Sequence, residues 1–325
     1  MQHWSRRRSL QALGTLALTA VSDVKADDTW PGRPITIVVG YPPGGGTDIM
    51  ARIVAAKMAP LLNESMVVNN RPGGTGVIAD GFVARSDPNG YTLLVESSSF
   101  AINLGLGLPL PYSRKSFMPL SLLAFFPLVL VTYPGFAARS MDDVISMAKA
   151  KPKSIFYASA GNGSVQQIVG VSLMKSANIQ IVHVPYRGAG PALNDVMGGQ
   201  VQLFFANAAA ALPLVKSGRL RALAVTGSHR LHDLPNVPTM GETSAGPIDL
   251  REWIAMFAPA GTAPKVAGRL TDALHQVLQD PEVKERVAQM CGEVFEGSRI
   301  ESTQFIDAQI KNMAKIIKEG GITVR

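Results

Sequence analysis

The sequence holds a single cysteine, Cys291, so no disulfide can form within the chain and stability has to come from a packed core. Aromatic residues make up 6% of it and charged residues 17%. No run of lysine and arginine is interleaved with aromatics, which excludes the usual nucleic-acid surface. Past the N-terminus, no stretch reaches the roughly 20 apolar residues that span a bilayer while staying free of charge and proline. Metal ligands are equally sparse. Of His183, His229, His232 and His275 only His229 and His232 stand close together, inside "GSHRLHDLP" with no cysteine nearby. That is the pattern of a solvated turn, and no metal or other cofactor is implied.

What is present begins with "WSRRRSLQALGTLALTAVSDVKA". The basic Arg6 to Arg8, the apolar stretch from Leu10 to Val21 and the small Ala26 have the form of a secretory signal over residues 1–26. "SRRRSLQ" also fits a twin-arginine signal, although Ser9 stands where an aromatic residue is usual, so both that route and Sec remain open. Removing the segment lowers the formal net charge from +7 to +4, with 27 basic against 23 acidic residues. No cysteine follows it to carry a lipid. The expectation is a soluble periplasmic protein, free to diffuse, with a monomer as the default.

At 325 residues the chain suits two domains. From Pro34 onward, β-branched apolar runs alternate with helical stretches, the signature of an α/β protein with largely parallel sheets. "PITIVV", "SMVVNN", "YTLLVES", "SIFYASA", "IQIVHVP", "VQLFFAN" and "LRALAVTG" read as strands. Ile49 to Leu62, "GVIADGFVAR", "MDDVISMAKA" behind a Ser140/Asp143 capping box, "SVQQIVGVSLMKSA", "ALNDVMGG" and "AALPLVKSG" read as helices. After "WIAMFAPAG" come three amphipathic helices, Lys265 to Gln279, Pro281 to Gly292 and Thr303 to Lys318, with no further strands. They need an earlier sheet to pack on, so the first domain is expected to be discontinuous.

One device occurs twice. "ITIVVGYPPGGGTDIMARIVAAKM" and "SIFYASAGNGSVQQIVGVSLMK" both run strand, glycine loop, helix. A glycine loop that opens a helix presents unpaired N–H groups at the positive end of the helix dipole and lets an anion approach them. No lysine follows Gly46, and Ile49 and Gln166 stand where a dinucleotide fingerprint has its third glycine, so both nucleotide readings fail. A single loop of this kind is better explained as a tight turn, capped by Asp48 or Thr47 in the first case and by Ser164 in the second. Two matching loops, both beyond the carboxyl ends of strands, favour a cleft that holds a carboxylate. Ser97 to Ser99, Ser159 and Ser164 lie near the loops without a G-x-S-x-G elbow, and read as hydrogen-bond donors and not as nucleophiles. A third glycine turn, "RPGGTG" at Arg71 to Gly76, reads as structural.

The segments "ITIVVGYPPGGGTDIMAR", "NNRPGGTGVIADGFVARSDPNGYTLL", "AKAKPKSIFYASAGNGS", "HVPYRGAGPALNDVMGGQVQLFF", "SGRLRALAVTG", "LPNVPTMGE" and "FAPAGT" together carry a resemblance. The chain resembles the extracytoplasmic solute receptors of tripartite tricarboxylate transporters, the Bug receptors, through essentially all of its mature length. The resemblance implies a type II periplasmic binding protein fold, two α/β domains joined by two crossing segments with a ligand cleft between them. Here these are residues 27–125 plus 253–325 and residues 126–252, with crossings near Phe126-Pro127 and Trp253.

It also implies a small ligand, a di- or tricarboxylate or related organic acid. One carboxylate is gripped, with ordered waters helping, by Tyr41, Pro42, Pro43, Gly44, Gly45, Gly46, Thr47 and Asp48 on one side and Ser159, Gly161, Asn162, Gly163 and Ser164 on the other. The far end meets Ser98, Ser99, Tyr186, Arg187, Gly188 and Asn207. Phe100 and Ala206 replace a histidine and an aspartate common in relatives, which argues for a plain carboxylate over an amino acid. The implied partners are the ligand and the subunits of a membrane transporter; a sensor kinase served by the same clamp is the alternative. An enzyme on this fold is a remote third reading, since the cleft residues contain no clear acid–base pair.

Overall fold

The structure of the protein, a computed structural model, describes residues 30–320. The signal expected at residues 1–26 lies outside them. The chain opens with β1 (Ile35–Val39), α1 (Gly46–Leu62), β2 (Met66–Asn70), α2 (Val77–Ala84), β3 (Thr92–Ser97), α3 (Ser99–Gly105) and the long β4 (Phe117–Phe126). It continues with β5 (Leu128–Thr132), α4 (Met141–Ala150), β6 (Phe156–Ser159), α5 (Val165–Ala177), β7 (Val182–Pro185), α6 (Ala189–Met197), β8 (Leu203–Asn207), α7 (Ala208–Lys216) and β9 (Arg221–Val225). It closes with β10 (Glu252–Pro259), α8 (Pro264–Gln279), α9 (Pro281–Gln289), β11 (Glu293–Val294) and α10 (Arg299–Glu319).

These strands form two sheets, one of six strands in the order β11-β4-β10-β3-β1-β2 and one of five in the order β7-β6-β8-β5-β9. We call the halves built on them lobe one and lobe two. In lobe one, β1 pairs parallel with β2 and β3, whereas β10 runs antiparallel between β3 and β4. The chain leaves the larger sheet at Phe126, passes through Pro127 and enters the smaller sheet at Leu128; it returns between Val225 and Glu252.

β1 is a continuous apolar run because both of its faces are covered, as parallel strands require. Ile35, Ile37 and Val39 pack with Met50, Val54 and Met58 of α1 and Leu270 and Leu274 of α8, while Val38 joins the core on the opposite face. That second core extends from Ile306, Met313 and Ile317 of α10 to Ile168 and Val169 of α5, so apolar packing joins the two lobes.

The C-terminal helices do return to the first sheet, and the structure corrects their surroundings. β11 adds a strand where none was expected; at two residues it has no periodicity to read and exists by pairing with β4. α10 starts at Arg299, four residues before the expected Thr303, because Ser298 and Glu301 form a capping box. α1 starts at Gly46 instead of Ile49, with the extended Gly45 as N-cap, so neither Thr47 nor Asp48 caps it. The capping box of Ser140 and Asp143 is formed as expected.

The β4–β10 ladder shifts register between Ile254 and Ala255, which breaks its regular pairing at Leu122 and Leu123. The break is plugged from outside the ladder: Leu122 N–H donates to Ser302 Oγ of α10 at 3.0 Å, and Phe295 N–H donates to Leu123 O at 3.0 Å. Ser302 is fully buried. Ser302→Ala should therefore leave a buried N–H unpaired and cost about 1–3 kcal/mol in urea unfolding, with an unchanged m-value. A loss within error would show that water replaces the hydroxyl.

Candidate ligand-binding cleft

The carboxyl ends of β1 and β3 and the start of β10 lie along one edge of lobe one, and the carboxyl ends of β6 and β8 along the facing edge of lobe two. Among the described residues, two hydrogen bonds cross between these edges. Thr75 Oγ1 donates to Asn162 O at 3.0 Å, and Asn207 Nδ2 donates to Glu252 Oε2 at 2.7 Å. Glycine contacts cross too. A Cβ on Gly46 would sit 3.7 Å from Asn207 Nδ2, one on Gly161 3.4 Å from Thr75 Oγ1, and one on Gly163 3.4 Å from Asn103 Oδ1.

In the first loop, Pro42 to Gly45 are exposed and Asp48 is buried. The Asp48 carboxylate accepts from Gly44 N–H at 2.9 Å, Arg52 Nε at 3.0 Å and Asn70 Nδ2 at 2.8 Å. Burial alone would raise its pKa; the bonds from Arg52, Gly44 and Asn70 outweigh that and hold it below the usual carboxylate range. Asp48 is thus spent on bracing the loop. The N–H groups of Gly45 to Asp48 open the helix and have no intrahelical acceptors.

The second loop is braced the same way. Gly163 N–H donates to Gln167 Oε1 at 2.8 Å, again a side chain four residues ahead. Ser164 is the N-cap position, as expected, but its hydroxyl does not cap; Ser164 Oγ is buried without a hydrogen-bond partner, as is Ser98 Oγ on the facing lobe. Ser159 Oγ lies 2.6 Å from His183 Nε2 and 3.2 Å from Gly161 N, which donates to it. Burial lowers the His183 pKa to about 4, so the ring is neutral and fixes the loop without adding charge. Sequence reasoning missed this contact because His183 and Ser159 meet only across the β6–β7 pair.

Behind the first loop lies a buried acid. Tyr41 Oη and Ser97 Oγ are 2.8 Å apart, and Glu96 Oε1 accepts from Ser97 N–H at 2.8 Å. Glu96 Oε2 has no partner and is roofed by two glycines: a Cβ on Gly40 would come within 2.5 Å of it and one on Gly76 within 2.6 Å. Burial, resisted by the bonds from Tyr41 and Ser97 and assisted by the Glu252 charge, lifts Glu96 to about 7. Burial and the neighbouring Glu96 push the Asp80 carboxyl well above its usual value as well.

The expected site residues do not all converge. Tyr186 directs its hydroxyl away, donating to Asp195 Oδ2 at 2.7 Å, and Arg187 is exposed. Gly188 has φ +114° and donates its N–H to Ala160 O, so it shapes the segment behind the second loop. Phe100 and Ala206 are fully buried: Phe100 packs on Tyr112, Phe117 and Phe257, and Ala206 lies in the core of lobe two. Neither side chain is exposed to the cleft. Thr75, in the turn read as structural, makes a bond between the lobes. Ser98 lines a cavity of about 140 Å³ at the inner end of the cleft, with Ile102, Val165 and Trp253. A larger open groove at Phe117 and Ile300 lies at the opposite end of the sheet, remote from both loops. Among the described residues no cluster of three metal-ligating side chains occurs, and no helix is long and apolar enough to cross a membrane.

Two sheet-based lobes joined by two crossings are the fold of the periplasmic binding proteins. The solved structure of periplasmic binding protein BugD is similar over 91% of this chain and 100% of its own, with TM-score 0.84 and 31% identity. The family model for the tripartite tricarboxylate transporter family receptor, TctC, matches residues 50–322, and the chain belongs to that family. Protein BugT of Bordetella pertussis is 35% identical over 322 residues, 98% of this chain and 99% of BugT. A structure from R. palustris solved with adipate is 29% identical with TM-score 0.86, over 90% of this chain and 99% of that one.

The raised Glu96 pKa has a defined sign. Between about pH 4.5 and 7 the folded state binds this proton more tightly than the unfolded state, so the contribution is fully present below the unfolded pKa and lost as pH rises through the folded one. Glu96→Gln stays neutral throughout. Its melting temperature relative to the unmodified protein should climb from about pH 5 to about pH 8; a difference independent of pH would refute the assignment.

Proposed function

We propose that the protein is an extracytoplasmic receptor that closes two lobes over a small organic acid, holds its carboxylate at the opening N–H groups of α1 and α5, and delivers it to a membrane transporter. It acts by binding and not by catalysis. The lobes are residues 27–125 plus 253–325 and residues 126–252, with the crossing residues Phe126 and Glu252 still paired with each other in the sheet of lobe one, and residues 1–26 direct export. The observation that carries this reading is the pair of glycine loops, each opening a helix of more than three turns and each braced by a side chain four residues ahead. The braces take the N–H of Gly44 and of Gly163 and leave the first helical donors unmet, so an anion can complete the turn. Charge-assisted bonds of this kind contribute roughly 1.5–3 kcal/mol each. Family membership and the adipate found in a relative support the same ligand class.

A thermal-shift screen of residues 27–325 against mono-, di- and tricarboxylates, sugars and nucleotides tests the reading. A ligand at 100 times its Kd should stabilise by about 2.7 kcal/mol. Shifts with sugars or nucleotides and none with carboxylates would refute it. Gly45 has φ −78°, and a Cβ there would meet nothing closer than Pro42 O at 3.8 Å. Gly45→Leu should therefore fold normally while screening the loop, weakening carboxylate binding by about 100-fold in calorimetry. Unchanged affinity would remove the first loop from the site. Thr75→Ala removes one bond between the lobes and should speed ligand release by about 2–10-fold in stopped-flow measurements; an unchanged rate would show that the bond does not hold the lobes closed.

A further inference from the structure

Phe100 and Ala206 are buried, whereas Glu252 is a polar group at the cleft edge that the sequence does not single out. It begins β10, on the cleft edge of lobe one, and is partly buried there. Its Oε2 accepts from Asn207 Nδ2 of the facing lobe at 2.7 Å. The orientation of Asn207 is fixed, because its Oδ1 caps α7 by accepting from Ala209 N–H at 2.9 Å. The same Nδ2 lies 3.7 Å from where a Cβ on Gly46 would be, which puts the Glu252 carboxylate close to the first glycine loop.

Glu252 Oε1 has no hydrogen-bond partner among the described residues and is not one of the fully buried unpartnered atoms, so it is not completely shut off from the cleft; burial raises the pKa of the group, and the bond from Asn207 opposes that rise. Among the described residues no lysine, arginine or histidine forms an ion pair with the group. The adjacent Arg251 is turned to Asp249 and Glu293, at 3.6 and 3.2 Å, and lies over the Phe125 ring. A neighbouring acid, the buried Glu96, offers no positive charge; the Glu252 charge helps to hold its proton on.

We propose that Glu252 determines specificity in the cleft: the receptor takes an organic acid whose second polar group is a hydrogen-bond donor, a hydroxyl or an ammonium, and rejects one with a second carboxylate at that end. The inference rests on the carboxylate-receptor reading above. An acceptor with no partner and no paired cation matches a donor, whereas a second carboxylate beside it meets like-charge repulsion in a partly desolvated cleft. The acidic partner for an amino group therefore comes from β10, and the apolar residue before Asn207 does not exclude amino-bearing ligands.

The test is calorimetry with linear acids matched in length that end in a hydroxyl, an ammonium, a carboxylate or a methyl group, on the unmodified protein and on Glu252→Gln. The unmodified protein should bind the hydroxyl- or ammonium-bearing acid at least about 10-fold more tightly than the matched diacid, and Glu252→Gln should reduce that ratio to near one or invert it. A preference for the diacid in the unmodified protein, or a ratio unchanged by Glu252→Gln, overturns the proposal. If no acid of any kind binds the unmodified protein, the receptor reading fails first and takes this inference with it. Should Glu252→Gln not fold, the preference of the unmodified protein decides alone.

Discussion

The cleft is organised around backbone N–H groups that are kept without acceptors. A helix always begins with such donors, and most helices hide them behind a capping side chain. At α1 and α5 the side chains that would cap reach back past the first turn instead: Asp48 takes Gly44 N–H and Gln167 takes Gly163 N–H. The loops are stiffened while the helix starts stay open. Most of the surrounding polar network serves this arrangement. Arg52 and Asn70 hold Asp48, and His183 holds Ser159. The charge of Asp48 is thereby consumed locally, so the loop can face an anion although it contains an acid.

Much of this was legible in the sequence, because the cues were local. β1, α1, β6 and α5 follow from hydrophobic periodicity, and the doubled glycine loop from direct comparison of two segments. Gly46 was read as loop because three glycines suppress helix propensity, although the N–H of Ile49 already bonds to Gly45 O. What stayed hidden depends on contacts between distant segments. Thr75 sits in a turn whose glycines are explained by conformation alone, at φ +140° for Gly73 and +95° for Gly76, yet its hydroxyl reaches lobe two. Glu252 precedes the apolar run that begins at Trp253 and belongs to no motif, and only the folded chain sets it against Asn207. Phe100 and Ala206 are the reverse case. A residue next to site positions in sequence can point into the core, and which way it points follows from the fold and not from the motif.

Lobe one tolerates acids in its interior through close backbone packing more than through pairing. Glu96 has one oxygen bonded and the other shut beneath Gly40 and Gly76, and Asp80 has neither oxygen bonded. Keeping these groups protonated costs less than leaving them charged in a dry interior. Stability thus depends on acidity most strongly just behind the first glycine loop. Any side chain larger than hydrogen at Gly40 or Gly76 would meet the Glu96 carboxyl before it met the ligand.

The position of β10 governs the order in which the chain can be assembled. This strand lies between β3 and β4 in the larger sheet, yet it begins at Glu252, after the whole smaller sheet has been laid down. Until it emerges from the ribosome, β3 and β4 have no common neighbour and each keeps an open edge, the surface most prone to pair with other chains. The smaller sheet, continuous from β5 to β9, carries no such debt to later sequence. One half of the molecule can therefore be finished while the other waits on nearly the full length of the polypeptide, and premature pairing is a hazard confined to the waiting half.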